Sequence, residues 1–177
     1  YVPKQSITKF LSMYEIYKRI VDIEGCIVEC GVFKGGSLMG WAKLSAILEP
    51  TNWKRQIYGF DTFEGFPSVS KNDISKNNEI ETGQLCSNSY DELLNIIKSY
   101  DLNRYLGHIN KVNIIKGDVE KTIPVFLEHN RHIVISLLYL DLDLYSPTKM
   151  ALKSFIPKMT KGSIVVFDNV NHPYWPG

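Results

Sequence analysis

Cys26-Ile27-Val28-Glu29-Cys30-Gly31-Val32-Phe33-Lys34-Gly35-Gly36-Ser37 is the stretch on which the fold turns. A short apolar run ends in a glycine-bearing turn, and the turn feeds a helix-forming segment. Continuous apolar character, rather than alternation, marks a strand covered on both faces. The same pattern recurs at 56–60, 112–116, 133–140 and 163–167, and helices are predicted between these runs at 37–48, 89–105, 119–129 and 146–159. Such alternation builds parallel βαβ units, and so an α/β fold with a doubly wound, mostly parallel sheet. Ser37 is expected to cap the first helix, Ser89 with Glu92 to form a capping box for the second, and Ser146-Pro147 to open the fourth. Gly162 is expected to end that fourth helical region before the last strand.

Two further segments stand apart. Residues 1–22 form an N-terminal helical element, with a helix over 6–21 in which Ile7, Phe10, Leu11, Tyr14, Tyr17 and Ile20 fall near helical spacing; it is expected to pack as a lid or an oligomer element. Residues 67–88 are rich in Ser, Asn, Lys and Glu and read as a mobile, lid-like surface loop. Trp41, Tyr58, Phe60 and Phe155 are expected in the core.

A chain of 177 residues buries roughly 70% of its unfolded surface as one domain, so a single domain is expected over 1–177. The net charge of +1 and the absence of a basic block argue against nucleic acid as partner. The longest apolar run, 133–140, is too short to cross a bilayer and is followed by Asp141 and Asp143. Residues 1–10 lack the apolar segment of a secretion signal, and the start at Tyr1 without methionine reads as trimming, which leaves a removed leader open. Cys26, Cys30 and Cys86 cannot all pair, which favours reduced thiols and a cytoplasmic location. His108, His129, His132 and His172 offer no zinc-like cluster.

In open α/β sheets ligands bind beyond the carboxyl ends of the strands. Those positions are acidic here: Glu29 before the first turn, Asp61 after the second strand, Gly117-Asp118 after the third, Asp141-Leu142-Asp143 after the fourth and Asp168-Asn169 after the fifth. Gly31, Gly35 and Gly36 allow the backbone to approach a ligand, but their spacing departs from that of dinucleotide-binding turns. Asp61 stands where a carboxylate accepts both ribose hydroxyls of a nucleoside; the plainer alternative is a carboxylate that caps the next turn. Asp141, Asp143 and Asp168 on neighbouring strand ends would repel one another unless a cation or shared proton intervened, and hard oxygen ligands suit magnesium, calcium or manganese. Asp141 and Asp143 would share a side on an extended chain. The alternative is that one of these faces solvent and another caps the helix near Ser146.

With these residues assembled the chain resembles the TylF-like macrocin O-methyltransferases, which methylate sugar hydroxyls. The resemblance is carried by Val28-Glu29-Cys30-Gly31-Val32-Phe33-Lys34-Gly35-Gly36-Ser37, by Phe60-Asp61-Thr62-Phe63-Glu64-Gly65-Phe66-Pro67, and by Gly117-Asp118-Val119-Glu120-Lys121-Thr122-Ile123-Pro124. Leu140-Asp141-Leu142-Asp143-Leu144-Tyr145 with Pro147-Thr148, and Phe167-Asp168-Asn169 with Trp175-Pro176-Gly177, complete it in the same order. It implies a Rossmann-like class I methyltransferase using S-adenosylmethionine and Mg2+ or another divalent cation. By the same resemblance the cofactor would be held by Glu29, Gly31, Val32, Gly35, Ser37, Asp61, Thr62, Gly117, Asp118 and Asp141. Asp141, Asp168 and Asn169 would ligate metal, and Asp143 would be the general base. A small hydroxyl acceptor, a sugar above all, is the implied substrate.

Two departures accompany the likeness. Asn169 stands where the family has a second aspartate, and the chain stops at Gly177 where the family continues through a final strand pair, so the sheet is expected to lack that pair and expose an edge. Two rival functions remain in view. An NAD-dependent oxidoreductase shares the fold and the ribose carboxylate but gives no role to Asp141, Asp143 and Asp168, and a non-catalytic S-adenosylmethionine-binding module is favoured only by the two departures.

Overall fold

The computed structural model describes residues 2–74 and 79–170. His172, Tyr174 and Trp175, whose positions suit either an acceptor pocket or a surface loop, lie outside the described residues, as do 75–78 of the long loop.

Five parallel strands form one sheet in the order β3-β2-β1-β4-β5, with β1 at Cys26–Cys30, β2 at Ile57–Asp61, β3 at Val112–Lys116, β4 at Ile135–Leu140 and β5 at Met159–Phe167. The helices are α1 (Lys4–Ile20), α2 (Gly36–Leu48), α3 (Tyr90–Leu102), α4 (Val119–His129) and α5 (Tyr145–Phe155). Successive residues of a strand point to opposite faces, and β1 divides its side chains accordingly. Ile27 packs with Met13 and Tyr17 of α1, Leu38 and Trp41 of α2 and Leu93 of α3, whereas Cys26, Val28 and Cys30 pack with Ile123 of α4 and Phe155 of α5. Helices thus cover both faces, which is why β1 and β4 are apolar except at Glu29 and Ser136 and are buried throughout. Trp41, Phe60 and Phe155 are core residues as expected, while Tyr58 is only partly buried and stacks edge-on against Phe126. Cys26 and Cys30 are buried free thiols and Cys86 is an exposed one. No helix among the described residues is long and apolar enough to cross a membrane.

Several local expectations are corrected. The cap of α2 is Gly35, with φ 80°, and the Ser37 hydroxyl donates instead to Glu29 Oε1 at 2.7 Å. Ser89 precedes α3, but its hydroxyl donates to the Phe33 carbonyl at 2.6 Å, and no capping box forms with Glu92. In both cases a tertiary acceptor outcompetes the local one. A capping box does form inside the long loop, between Ser70 and Asp73. The fourth predicted helix ends at Phe155 rather than 159, because Pro157 cannot continue it, and a 3-10 turn at Ile156–Lys158 leads straight into β5. Gly162 (φ 92°) therefore lies within β5, where Ile135 pairs with Met159 but Leu137 with Ile164, so extra residues bulge out of the edge strand.

A buried arginine ties the amino-terminal side of the sheet to α1. Arg55 is 2% exposed and grips both oxygens of Glu49, from Nε at 2.6 Å and Nη2 at 3.0 Å. It also donates to the carbonyls of Ile20, Val21, Ile23 and Gly25 and to the Ser136 hydroxyl. Those carbonyls include the open C-terminal end of α1 and the entry to β1, groups that would otherwise be buried without donors. The Tyr17 hydroxyl completes the cluster by donating to Glu49 Oε2 at 2.6 Å. Arg55→Met is expected to lower the free energy of unfolding by about 3–5 kcal/mol, since Glu49 is left as a buried charge without its partner; urea denaturation measures it, and a loss under about 1 kcal/mol would contradict this role.

Candidate active site

The strand order reverses direction between β1 and β4, and there the turns that follow them touch. Gly31 has φ 91°, and a Cβ on it would stand 1.9 Å from the Asp141 carbonyl oxygen. Only glycine lets the two turns approach so closely. Over this junction opens a cavity of about 510 Å3, walled by the first turns of α1, the turn after β1, the ends of β2 and β4 and the start of the long loop. Among the residues proposed from sequence, Gly31, Val32, Ser37, Asp61, Thr62, Asp118, Asp141 and Asp143 line it, whereas Glu29, Gly35, Gly117, Asp168 and Asn169 do not.

Asp61 organises this wall. Its Oδ2 accepts from the Val32 and Phe33 amides, each at 2.7 Å, and its Oδ1 from the Phe63 amide at 2.6 Å. A carboxylate offers about four acceptor positions, so the side chain that the sequence suggests for ribose already uses most of them to hold two turns together. Thr62 closes the second turn by donating to the Gly65 carbonyl at 2.7 Å. Gly117 takes φ 136° and donates its amide to the Asp61 carbonyl at 2.8 Å. Asp118 caps α4 by accepting from the Glu120 amide at 3.0 Å.

Glu29 lies beneath the glycine turn, fully buried. Oε1 accepts from Ser37, while among the described residues Oε2 has no well-formed hydrogen bond and the Trp41 indole, itself unpaired, lies beside the carboxyl. Burial is the main reason its carboxyl is pushed up to about 8, with the Asp141 charge adding to the effect and the Ser37 bond opposing it. Set beneath the glycine turn, the Glu29 carboxyl is positioned by Ser37 and the Trp41 indole and does not open into the cavity.

The three aspartates are divided rather than gathered. Asp141 Oδ2 and Asp168 Oδ1 lie 3.7 and 3.3 Å from Lys9 Nζ, which reaches over from α1, and the Tyr139 hydroxyl also donates to Asp168 Oδ1. Asp143 turns elsewhere: its Oδ1 accepts from Asn169 Nδ2 at 2.6 Å. The alternation expected of an extended chain fails because β4 ends at Leu140, and Asp143 takes φ 60° at the centre of a tight turn closed by the Leu144 amide on the Leu142 carbonyl at 2.7 Å. Among the described residues no group of three His, Cys, Asp or Glu side chains is placed to hold a metal ion. The Asp141 and Asp168 pair does fit a cation in charge and donor chemistry, as the ammonium between them demonstrates. Burial above all, then the Asp168 charge, pushes the Asp141 carboxyl up to about 7, and Lys9 opposes the rise.

Lys9 lines the cavity and Asp73 braces α5 beside it from the long loop, though the sequence singles out neither. Lys9, Met13 and Tyr17 are spaced four apart and so continue one helical stripe, of which Met13 and Tyr17 are buried. A lysine extending an apolar stripe is a signal that an acidic partner lies opposite. Asp73 left no such signal. It is 1% exposed in the long loop, accepts from the Tyr145 amide at 2.6 Å through Oδ1 and from Ser70 through Oδ2, and thereby supplies α5 with the cap its own flanking residues lack. The loop is also folded on itself, with amide-to-carbonyl bonds from Phe66 to Gln84 and from Gly83 to Phe66.

A doubly wound parallel sheet, a glycine turn at the strand-order reversal and acidic strand ends around one cavity define an α/β protein of the class I methyltransferase fold. The family model of macrocin-O-methyltransferase (TylF) matches residues 9–174, and the chain belongs to that family. The calicheamicin methyltransferase CalS11 superposes with a TM-score of 0.93 at 37% identity, over 99% of this chain and 69% of that one. An apo structure of CalS11 as a TDP-rhamnose 3'-O-methyltransferase gives 0.83 at 36% identity, over 99% and 68%. An 8-demethyl-8-(2,3-dimethoxy-α-L-rhamnosyl)-tetracenomycin-C 4'-O-methyltransferase of Streptomyces olivaceus is 25% identical over 148 residues, 83% of this chain and 53% of that protein. The chain thus spans about half the length of this curated relative.

The buried carboxyls set a pH dependence. An unfolded glutamate releases its proton near its ordinary 4.5, while Glu29 in the folded chain holds it to about 8, so the folded state binds the extra proton between those values. Stability therefore falls as pH rises through that window and levels off above it. Asp141 contributes with the same sign, from 3.8 up to about 7. The urea midpoint is expected to drop between about pH 5 and pH 8, and Glu29→Gln to flatten most of the segment above about pH 7, where Asp141 has already titrated. An unchanged slope in the variant would refute this assignment.

Proposed function

We propose that this protein binds S-adenosylmethionine at the β1 turn and, with a divalent cation, serves the O-methylation of a hydroxyl on a small sugar-containing acceptor. The observation that carries the reading is the cavity at the β1–β4 junction, bounded by Asp61, Asp141 and Asp143, in a chain of the macrocin-O-methyltransferase family. The relatives named above act on rhamnose-bearing molecules, which supports a sugar acceptor. Family membership also favours methyl over hydride transfer, in which Asp141, Asp143 and Asp168 would be idle.

In this reading the Gly31 turn lets the cofactor lie against the backbone, and Ser37, which lines the cavity and is held by Glu29 beneath it, meets its charged amino acid end. Asp61 keeps the Val32 and Phe33 amides in place and offers its remaining acceptor capacity to the ribose, next to Thr62; Asp118, which lines the cavity, would stand on the adenine side, with Gly117 just behind it. S-adenosylmethionine, when bound, supplies an electrophilic methyl group. A divalent cation, when bound, stabilises negative charge developing on the acceptor oxygen; Asp141 and Asp168 would hold it, with the Asn169 amide oxygen as a weaker donor. A sugar hydroxyl is a poor nucleophile until its proton leaves, and Asp143 accepts that proton. The Asn169 amide fixes one Asp143 oxygen, and the left-handed backbone at Asp143 sets the direction of its side chain.

Calorimetric titration is expected to show binding of S-adenosylhomocysteine and none of NAD; the reverse result would overturn the reading. With a TDP-linked rhamnose as acceptor and cofactor and metal saturating, Asp143→Asn is expected to lower kcat by about 10²–10⁴-fold, the range of general base catalysis. Near-normal turnover would remove the base from Asp143. Asp168→Ala is expected to abolish stimulation by Mg2+ while leaving S-adenosylhomocysteine affinity unchanged.

A further inference from the structure

We propose that Lys9 is a built-in counter-ion of the Asp141 and Asp168 pair, and that a divalent cation enters this pair by displacing it, which couples metal loading to the seating of the first turns of α1. The inference rests on the metal reading given above and adds to it a residue and a moving element.

Three observations carry it. Lys9 Nζ lies 3.7 Å from Asp141 Oδ2 and 3.3 Å from Asp168 Oδ1, so one ammonium occupies the space between the two side chains read as metal ligands. The same ammonium lies 5.6 Å from the centre of the Tyr139 ring, and the Tyr139 hydroxyl bonds Asp168, so the lysine is held by a prepared set of partners and not by one surface contact. Finally, residues 2–12 are all exposed, and the buried anchors of α1 begin only at Met13, followed by Tyr17 and Ile20. The turns that carry Lys9 thus rest on few buried contacts beyond this ion pair, the condition under which a segment opens locally at low cost.

Charge forces the exchange. Two carboxylates carry two negative charges, which a divalent cation balances alone; a retained ammonium a few ångströms away would repel it. Ser6, Phe10 and Met13 from the same helix line the cavity, so withdrawal of Lys9 shifts the wall on that side. The N-terminal helix then reports whether the acidic pair holds a lysine or a metal.

The test uses Mn2+ alone, with free ion followed by electron paramagnetic resonance. Lys9 is 46% exposed at its side chain, so Lys9→Gln is expected to fold as the parent does. It is expected to bind Mn2+ roughly tenfold more tightly, the size that two half-exposed ion pairs can supply, while Lys9→Arg keeps the parental affinity. Hydrogen exchange of residues 4–12 is expected to quicken when Mn2+ is added to the parent, and not to change in Asp168→Ala. Equal or weaker Mn2+ binding by Lys9→Gln overturns the exchange and leaves the metal reading standing. Absence of Mn2+ uptake by both parent and Lys9→Gln overturns the metal reading itself.

Discussion

The close approach of two turns, one after β1 and one after β4, is the constraint on which the site depends. It exists because Gly31 presents no side chain to the Asp141 carbonyl and because the Asp61 carboxylate holds the neighbouring amides of Val32 and Phe33 at 2.7 Å. Asp61 belongs to β2, so three strands meet through one small cluster of backbone groups. Moving any of them changes where Glu29, Asp141 and Asp143 stand relative to the cavity. The carboxylate is thus a structural brace first, and its place in the pocket wall follows from that brace.

Around this junction the protein keeps its acids apart by different means. Glu29 is buried with a hydroxyl donor, Asp141 and Asp168 share a lysine, and Asp143 is paired with an amide. Asn169 adds an amide to this set and no further charge. A further carboxylate at that point could not donate to Asp143, whereas the Asn169 amide does. The Asn169 amide thereby fixes one oxygen of Asp143.

The fold was legible because burial on both faces leaves a plain trace: β1 and β3 lie where the apolar runs put them, and β2 and β4 differ by a residue or two. The family blocks were equally plain, being contiguous in sequence. Features that depend on distant partners were not. Ser37 and Ser89 satisfy every local rule for capping, yet each hydroxyl goes to an acceptor on another element. Asp141 and Asp143 suggest a common face only while the chain stays extended, and the tight turn at Asp143 ends that. Lys9 reaches the acidic pair from α1 and Asp73 caps α5 from the long loop; the helical stripe hints that Lys9 faces inward, but neither partner is encoded by spacing along the chain.

The placement of the three thiols has a practical corollary. Burial pushes Cys26 up to about 12 and raises Cys30 as well, so neither offers a thiolate or a path for a reagent near neutral pH. Cys86 is exposed and sits in the long loop, its sulfur 3.5 Å from the Phe63 carbonyl. An alkylating dye would therefore attach at one address without any cysteine having to be removed. From there it would sense the polarity and motion of the cavity rim while the sheet beneath stays untouched.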